Sequence, residues 1–109
     1  MITHDFVIHV GEEFNETLKL IQNGKIINLT NRTGMAQIRP EQKSKTLTAT
    51  MTVTIPQPTS GRINLRLTAA QTKLIAPGTY YYDVCTKQGS VVIFYIQGKF
   101  IVKPDVSRY

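Results

Sequence analysis

Apolar and polar side chains alternate along most of this sequence. The clearest example is TLTATMTVTIP, residues 46–56, in which a single apolar residue separates each threonine from the next. Because neighbouring side chains of a β-strand point to opposite faces, this pattern buries one face of a strand and leaves the other to solvent. The same period recurs in four further segments, residues 5–10, 14–21, 34–39 and 61–67. The chain is therefore predicted to be all-β, with inward faces that include Phe6, Ile8, Ala36, Ile38, Ile63, Leu65 and Leu67.

Turn signals separate these segments at short intervals. Asn23-Gly24 is typical of a two-residue hairpin turn. Thr68 and Gln71 have the spacing of a capping box at a helix start, and Pro77-Gly78 ends that helical turn. In 109 residues, this spacing predicts an immunoglobulin-like antiparallel β-sandwich of seven or eight strands, with one short helical turn near residues 68–75. We expect a single domain over residues 1–109, although a small barrel would have the same pattern.

The last two strands, TYYYDVCT and SVVIFYIQGKFIV, form a hairpin whose register decides which side chains face outward. A two-residue loop at Gln88-Gly89 would place Cys85 opposite Val92, whereas a three-residue loop at 87–89 would place it opposite Val91. We favour the longer loop, because a glycine in its third position suits the left-handed residue of a type I turn with a G1 bulge. The inward pairs are then Tyr80–Ile96, Tyr82–Phe94 and Val84–Val92, and the outward pairs are Tyr81–Tyr95, Asp83–Ile93 and Cys85–Val91.

This register predicts an apolar outer face on the final hairpin. The water-facing side of an antiparallel sheet is normally polar. A contiguous apolar patch on a protein surface usually marks an interaction site. We therefore predict a partner interface for another protein or for a second copy of the chain, formed by Tyr81, Asp83, Cys85, Val91, Ile93 and Tyr95. The alternative is that the N-terminal strand or the C-terminal tail of the same chain covers this face. Tyr80, just after Pro77-Gly78, is instead predicted to be a tyrosine corner, with its hydroxyl bonded to the preceding loop.

The charged and reactive residues argue against several other functions. The net charge is +6, but the lysines and arginines are scattered, which argues against a nucleic-acid partner. Cys85 is the only cysteine, so no intrachain disulfide forms, and no apolar segment is long enough for a membrane span or a secretory leader. His4 and His9 fall on opposite strand faces, and a single strand splays Glu12, Glu13 and Glu16 apart. We therefore expect no enzymatic activity, no metal site and no cofactor.

The order of motifs resembles that of small virion proteins of tailed bacteriophages, encoded among tail, baseplate or fibre genes. A turn like NGKIINLT is followed by a strand ending QIR, then by GRINLRLT leading into a helical turn. APGTYYYDV comes next, and a hairpin ending QGKFIVKPDVSR completes the series. The resemblance spans nearly the whole chain. The final hairpin of this sequence departs from it, because its outer face is predicted to be more aromatic and apolar.

The resemblance implies a structural role in a virion assembled in the host cytoplasm. It implies an immunoglobulin-like domain that docks on other virion proteins in the tail, baseplate or neck, and it names no catalytic residue. Three alternatives stay open: a capsid decoration (cement) protein, a module that binds glycans or the host surface through Tyr81 or Tyr95 beside Asp83, and a protein that contacts nucleic acid through its scattered lysines and arginines.

Overall fold

A computed structural model describes residues 2–41 and 46–104. The described chain is almost entirely β-structure, and the all-β sandwich fold is confirmed. The ten strands are β1 (Ile2–Thr3), β2 (Phe6–His9), β3 (Phe14–Lys19), β4 (Ile21–Gln22), β5 (Lys25–Ile26), β6 (Thr33–Arg39), β7 (Ala49–Gln57), β8 (Arg62–Leu67), β9 (Gly78–Gln88) and β10 (Val91–Lys103). A 3-10 turn covers Pro58–Ser60, and one short helix, α1, covers Ala69–Lys73.

Eight strands form one curled sheet in the order β1-β10-β9-β6-β7-β8-β3, with β2 also paired to β10. Strand β7 belongs to both layers of the sandwich. Its first half pairs with β6, around Met51, and its second half pairs with β8, around Val53. The strands β4 and β5 form a separate two-stranded hairpin. The curl brings the apolar faces of the two layers together around a common core.

The strand alternation predicted from the sequence is confirmed at most positions. Ala36, Ile38, Ile63, Leu65 and Leu67 are all fully buried. The threonines of β7 face solvent while Met51 lies in the core. The aromatic centre of this core is built from rings in edge-to-face or tilted contact, namely Phe6, Phe14, Tyr82 and Phe100.

Three local predictions are also confirmed. Asn23 and Gly24 both have positive φ, 53° and 75°, as expected for the type I′ turn between β4 and β5. The Thr68 hydroxyl accepts from the Gln71 backbone N–H and the Gln71 side chain accepts from the Thr68 N–H, so the capping box is complete. The Tyr80 hydroxyl donates to the Ala76 carbonyl at 2.6 Å, which makes it a tyrosine corner.

The N-terminal strands differ from a purely antiparallel sandwich. Both β1 and β2 run parallel to β10, with Ile2 opposite Ile96 and Phe6 opposite Phe100. The chain between them crosses Gly98, where any Cβ would collide with the His4 carbonyl. The Tyr82 hydroxyl donates to that carbonyl at 2.6 Å. Sequence alternation could not predict this pairing. A strand has the same two-residue period whether its neighbour runs parallel or antiparallel to it. In the described residues, no helix is long and apolar enough to cross a membrane.

Candidate docking surface

The final hairpin turns at Gly89-Ser90, so both predicted loops were wrong. Gln88 pairs with Val91 across a loop of two residues. Gly89 has φ +60°, the sign that the first central residue of a type II′ turn requires. Glycine therefore supplies the left-handed conformation at the first loop position rather than at the third.

The position of the turn is one difference from the predicted register. A β-bulge at Tyr95 is a second, because it shifts the pairing of β9 and β10 by one residue. Phe94 pairs with Cys85, but Ile96 pairs with Val84, which leaves Tyr95 as an extra residue on β10. Beyond the bulge, Tyr80, Tyr82 and Val84 face inward as predicted. Their partners differ from the prediction and are Phe100, Gly98 and Ile96. On the outer face, Tyr81 pairs with Lys99, Asp83 with Gln97 and Cys85 with Phe94.

The six predicted interface residues are therefore divided by the structure. Tyr81 and Asp83 lie half-buried on the outer face, and Cys85 is buried there between its cross-strand neighbours Met35 and Phe94. Tyr95 is buried in the core. Val91 and Ile93 are exposed, but their partners Gln88 and Thr86 lie on the opposite side of the ladder from Cys85. The prediction that all six share one outward face is wrong; their role in an interface stays a prediction.

The Tyr95 side chain turns inward to complete a polar cluster. Its hydroxyl shares a 2.9 Å hydrogen bond with Thr86 Oγ1, and Arg32 Nε donates to the same oxygen at 2.6 Å. Arg32 also donates to the Thr86 carbonyl at 3.3 Å. A buried hydroxyl needs such partners, since leaving one unsatisfied costs about 1–3 kcal/mol. The bulge therefore gives Tyr95 a structural role that no local sequence pattern indicated.

Asp83 lies in a small polar pocket on the outer face. Arg39 Nη1 is 3.4 Å from Asp83 Oδ2, and the pocket also includes Tyr81 and Gln97. Burial raises the pKa of the Asp83 carboxyl, and the Arg39 guanidinium opposes that shift. Burial likewise raises the pKa of the Cys85 thiol, with a further contribution from the Asp83 charge. An acid held by one arginine, and a thiol kept in its neutral form, do not make a nucleophile–base pair.

Exposed apolar side chains from three segments lie near the turn end of the hairpin, and we call this region the apolar end. It consists of side chains from β1, the β4–β5 hairpin and the start of β10: Ile2, Ile21, Ile26, Val91, Ile93 and Phe94. Four of them, Ile2, Ile21, Ile93 and Phe94, line a cleft of about 110 Å³ together with Leu20, Gln22, Ile27 and Tyr95. Sequence reasoning found Val91 and Ile93 but missed Phe94, because the run VVIFYI has no alternation from which to read a face.

The described residues hold no group of three or more His, Cys, Asp or Glu side chains that could bind a metal ion. Glu13 is 3.4 Å from Arg66, and Glu12 is 4.0 Å from His9, so these acids contact bases and not one another. The absence of enzymatic activity stays a prediction.

Comparison with known proteins gives a likeness in fold. No protein-family model matches the sequence, and no curated protein matches it. Among solved structures, the N-terminal domain of phage TP901-1 ORF48 has a TM-score of 0.51 at 11% identity, over 94% of this chain and 99% of that one. An extracellular fragment of Novel Immune-Type Receptor 11 from Ictalurus punctatus, with its stalk region, has a TM-score of 0.43 at 11% identity, over 100% and 90%. At such identity, the first likeness concerns the fold alone.

Proposed function

We propose that this chain is a structural protein of a bacteriophage virion and that it docks on other virion proteins through the apolar end. The observation that carries the proposal is the exposed cluster itself. Val91, Ile93 and Phe94 are each more than 40% exposed on one hairpin tip. The motif order that resembles tailed-phage virion proteins supports the proposed setting, as does the likeness in fold to a phage domain.

The physical case rests on four of these exposed side chains, Ile2, Ile21, Ile93 and Phe94, which line one cleft. Single apolar residues at a surface are ordinary, whereas a continuous patch on a small domain usually marks a contact. One wall of the cleft is held in place, because the bulge residue Tyr95 is bonded to Thr86. A rigid apolar contact loses little conformational entropy when it is buried, which favours binding.

The predicted interface residues keep a place in this proposal. Val91 and Ile93 form part of the apolar end, and Tyr95 lies in the wall of its cleft. Tyr81, Asp83 and Cys85 lie on the adjoining outer face, where Cys85 meets Phe94. The proposed contact is therefore centred on the tip, with the outer face at its margin.

The test is incorporation into particles. Phe94→Glu places a charge in the wall of the cleft at the apolar end, and Val7→Glu is a matched control at a similarly exposed position on β2. We expect wild type and Val7→Glu to appear in purified particles, and Phe94→Glu to be depleted at least tenfold by immunoblot. Wild-type chain found in the infected lysate but absent from particles would contradict the proposal.

The location of the chain within the particle is a separate question. Tail, baseplate or neck is the proposed location, and the capsid surface is the alternative, since a cement protein would use the same apolar contact. Cryo-electron microscopy of particles carrying labelled chain would distinguish a location on the tail from a lattice over the head.

The Asp83 pocket favours glycan binding as a second candidate function. Tyr81 lies beside a carboxylate and an amide, Asp83 and Gln97, which is the kind of set that recognises sugars. The pocket holds only about 40 Å³, so it would contact one edge of a sugar. A glycan array probed with wild type and Tyr81→Ala tests this function, and signals that are equal for both proteins would reject it.

A further inference from the structure

The run VVIFYI, residues 91–96, contains the bulge of β10 and offers apolar side chains to both faces of the strand. Strand register is weakly specified by apolar burial when both faces of a strand are alike. Tyr95 carries the only hydrogen-bonding side chain in this run. Its hydroxyl is therefore the one group by which the run can distinguish one register from the next.

A regular ladder without the bulge is the competing register. Extending the ladder from Ile96 by one residue would place Tyr95 opposite Cys85. Tyr95 would then leave the core and point to the outer face, because neighbouring side chains alternate along a strand. The hairpin would close on a loop of three residues, 89–91, which is also a common length for such a connection.

The two registers present different side chains at the tip of the hairpin. In the observed register, Phe94 lies opposite Cys85 on the outer side of the ladder. Ile93 lies opposite Thr86 on the other side. In the regular ladder, Phe94 would move opposite Thr86, and Ile93 would move to the outer side. Because Ile93 and Phe94 both line the cleft, the register determines which side chains a docking partner meets.

A polar cluster beneath the tip is complete only in the observed register. The Tyr95 hydroxyl shares a 2.9 Å hydrogen bond with Oγ1 of Thr86, which is fully buried, and Arg32 Nε donates to the same oxygen at 2.6 Å. In the regular ladder, Phe94 would lie opposite Thr86, and its ring has no hydroxyl to replace that of Tyr95. The cluster would lose a hydrogen bond, which disfavours that register.

Arg32 also contacts the pair of residues that closes the loop. It donates from Nη1 to Gln88 Oε1 at 3.3 Å and from Nη2 to the Val91 carbonyl at 3.5 Å. Gln88 and Val91 are paired in the observed register, whereas Val91 would be a loop residue in the regular ladder. The Arg32 N–H donates to the Leu29 carbonyl at 3.1 Å, so the residue before β6 is itself held by a turn. One guanidinium therefore bonds both strands of the tip.

We propose that Arg32, Thr86 and Tyr95 specify the register of the hairpin tip and so select the side chains that it offers to a partner. Arg32 and Thr86 are positioning residues, because they act through Tyr95. Fixing a register is a well-attested role of buried polar groups among apolar ones. The consequence for docking rests on the proposed function, whereas the choice of register is a property of the chain alone.

The test is the register of the purified chain in solution, measured by NMR. Wild type should give one set of resonances, with a nuclear Overhauser contact between the backbones of Phe94 and Cys85. Tyr95→Phe keeps the ring and removes the hydroxyl. We expect about a tenth or more of its molecules, a readily detected minor state, to give a second set of resonances in which position 95 contacts Cys85.

Thr86 supplies a matched pair of variants. Thr86→Val keeps the shape of the side chain and loses the hydroxyl, so it should populate the regular ladder as Tyr95→Phe does. Thr86→Ser keeps the hydroxyl and should retain the wild-type register. Arg32→Met removes the guanidinium and should shift the register in the same direction as Thr86→Val. Tyr80→Phe, which removes a bonded hydroxyl from the same hairpin outside the cluster, should keep the single wild-type set.

Two results would overturn the inference. A single wild-type set of resonances in both Tyr95→Phe and Thr86→Val would show that the turn at Gly89 fixes the register without the cluster. A second set that appears equally in Thr86→Ser or in Tyr80→Phe would show that the register does not depend on these hydroxyl bonds.

Particles separate this inference from the proposed function. Tyr95→Phe should be depleted from purified particles in proportion to its shifted fraction, and Val7→Glu should enter them like wild type. A shifted register with undiminished entry would overturn the selection of contacts by the register. A wild type that is absent from particles would remove the docking proposal, and the NMR result would still decide whether the cluster specifies the register.

Discussion

Two tyrosines of β9 stabilise the fold through their hydroxyl groups. Tyr80 bonds the loop after α1 through the Ala76 carbonyl, and Tyr82 bonds the segment between β1 and β2 through the His4 carbonyl. Burial raises the pKa of Tyr82 far above its usual value, so its hydroxyl stays protonated and remains a donor. Tyr81, between them, points to the outer face, so three adjacent tyrosines have three different environments.

Replacing Tyr80 with phenylalanine removes the corner hydrogen bond and keeps the ring. We expect the free energy of unfolding to fall by about 1 kcal/mol, the usual contribution of such a bond. Urea denaturation followed by circular dichroism measures this loss. Tyr81→Phe is the matched control and should change stability by less than half as much. Equal effects at both positions would contradict a special role for Tyr80.

Asp83 makes stability depend on pH. Its pKa in the folded chain is raised by burial above the ordinary 3.8. A raised folded pKa contributes stability that is fully present below 3.8 and is lost as pH rises through the folded value. The difference in unfolding free energy between wild type and Asp83→Asn should therefore decrease as pH rises from below 3.8 toward neutrality. An increase over that window, measured by urea titrations, would mean that Arg39 outweighs burial.

At the scale of elements, the N-terminal segment is bound to β10 at one crowded crossing. His4 N–H donates to the Gln97 carbonyl at 3.0 Å, and Lys99 N–H donates to Asp5 Oδ1 at 2.9 Å. Gly98 lies between these bonds, where the backbones approach too closely for any side chain. The crossing places Phe6 in the core, so the two parallel strands depend on one glycine.

Gly98→Ala should therefore displace the segment between β1 and β2. We expect a loss of about 1–3 kcal/mol in unfolding free energy, as for other overpacked sites. Gly89→Ala is a useful comparison, because nothing lies within 4 Å of its added Cβ and only its φ of +60° opposes alanine. A Gly98→Ala protein with the wild-type urea midpoint would show that the crossing can relax.

An element could be predicted from the sequence when the residues that determine it are close together in the chain. The Asn23-Gly24 turn, the Thr68–Gln71 box and the alternation of β8 are all contained in a few adjacent residues, and all were predicted correctly. The register of the last hairpin was not, because VVIFYI presents apolar side chains to both faces and any phase satisfies it. The phase shifts at the bulge residue Tyr95, whose hydroxyl bonds Thr86 nine residues away in the chain, and a periodic pattern does not indicate such a contact.

At the scale of the whole molecule, stability is expected to be uneven. β9 lies inside the sheet, with β10 on one side and β6 on the other. The β4–β5 hairpin pairs only with itself among the described strands, and its four strand residues are exposed. Regions with few buried contacts open at lower free energy than the core.

Hydrogen exchange measures that gradient. We expect the amide of Ile26 to exchange at least a hundredfold faster than those of Tyr82 and Val84 under native conditions, by NMR. In an associated sample, protection at Ile26 should rise if the apolar end is covered. Uniform protection across both hairpins in the monomer would instead show that the chain opens only as one cooperative unit.

The extra residue of β10, Tyr95, shifts the alternation of inward and outward side chains between the two parts of that strand. In residues 96–102 the side chains alternate so that every second one enters the core. In residues 91–94 this alternation is shifted by one position. Deleting one residue from the tip would exchange the side chains offered on its two sides, and the interior would keep its pairing. Insertion or deletion of a single codon in the tip would therefore change which side chains a partner contacts, and the sandwich would keep its fold.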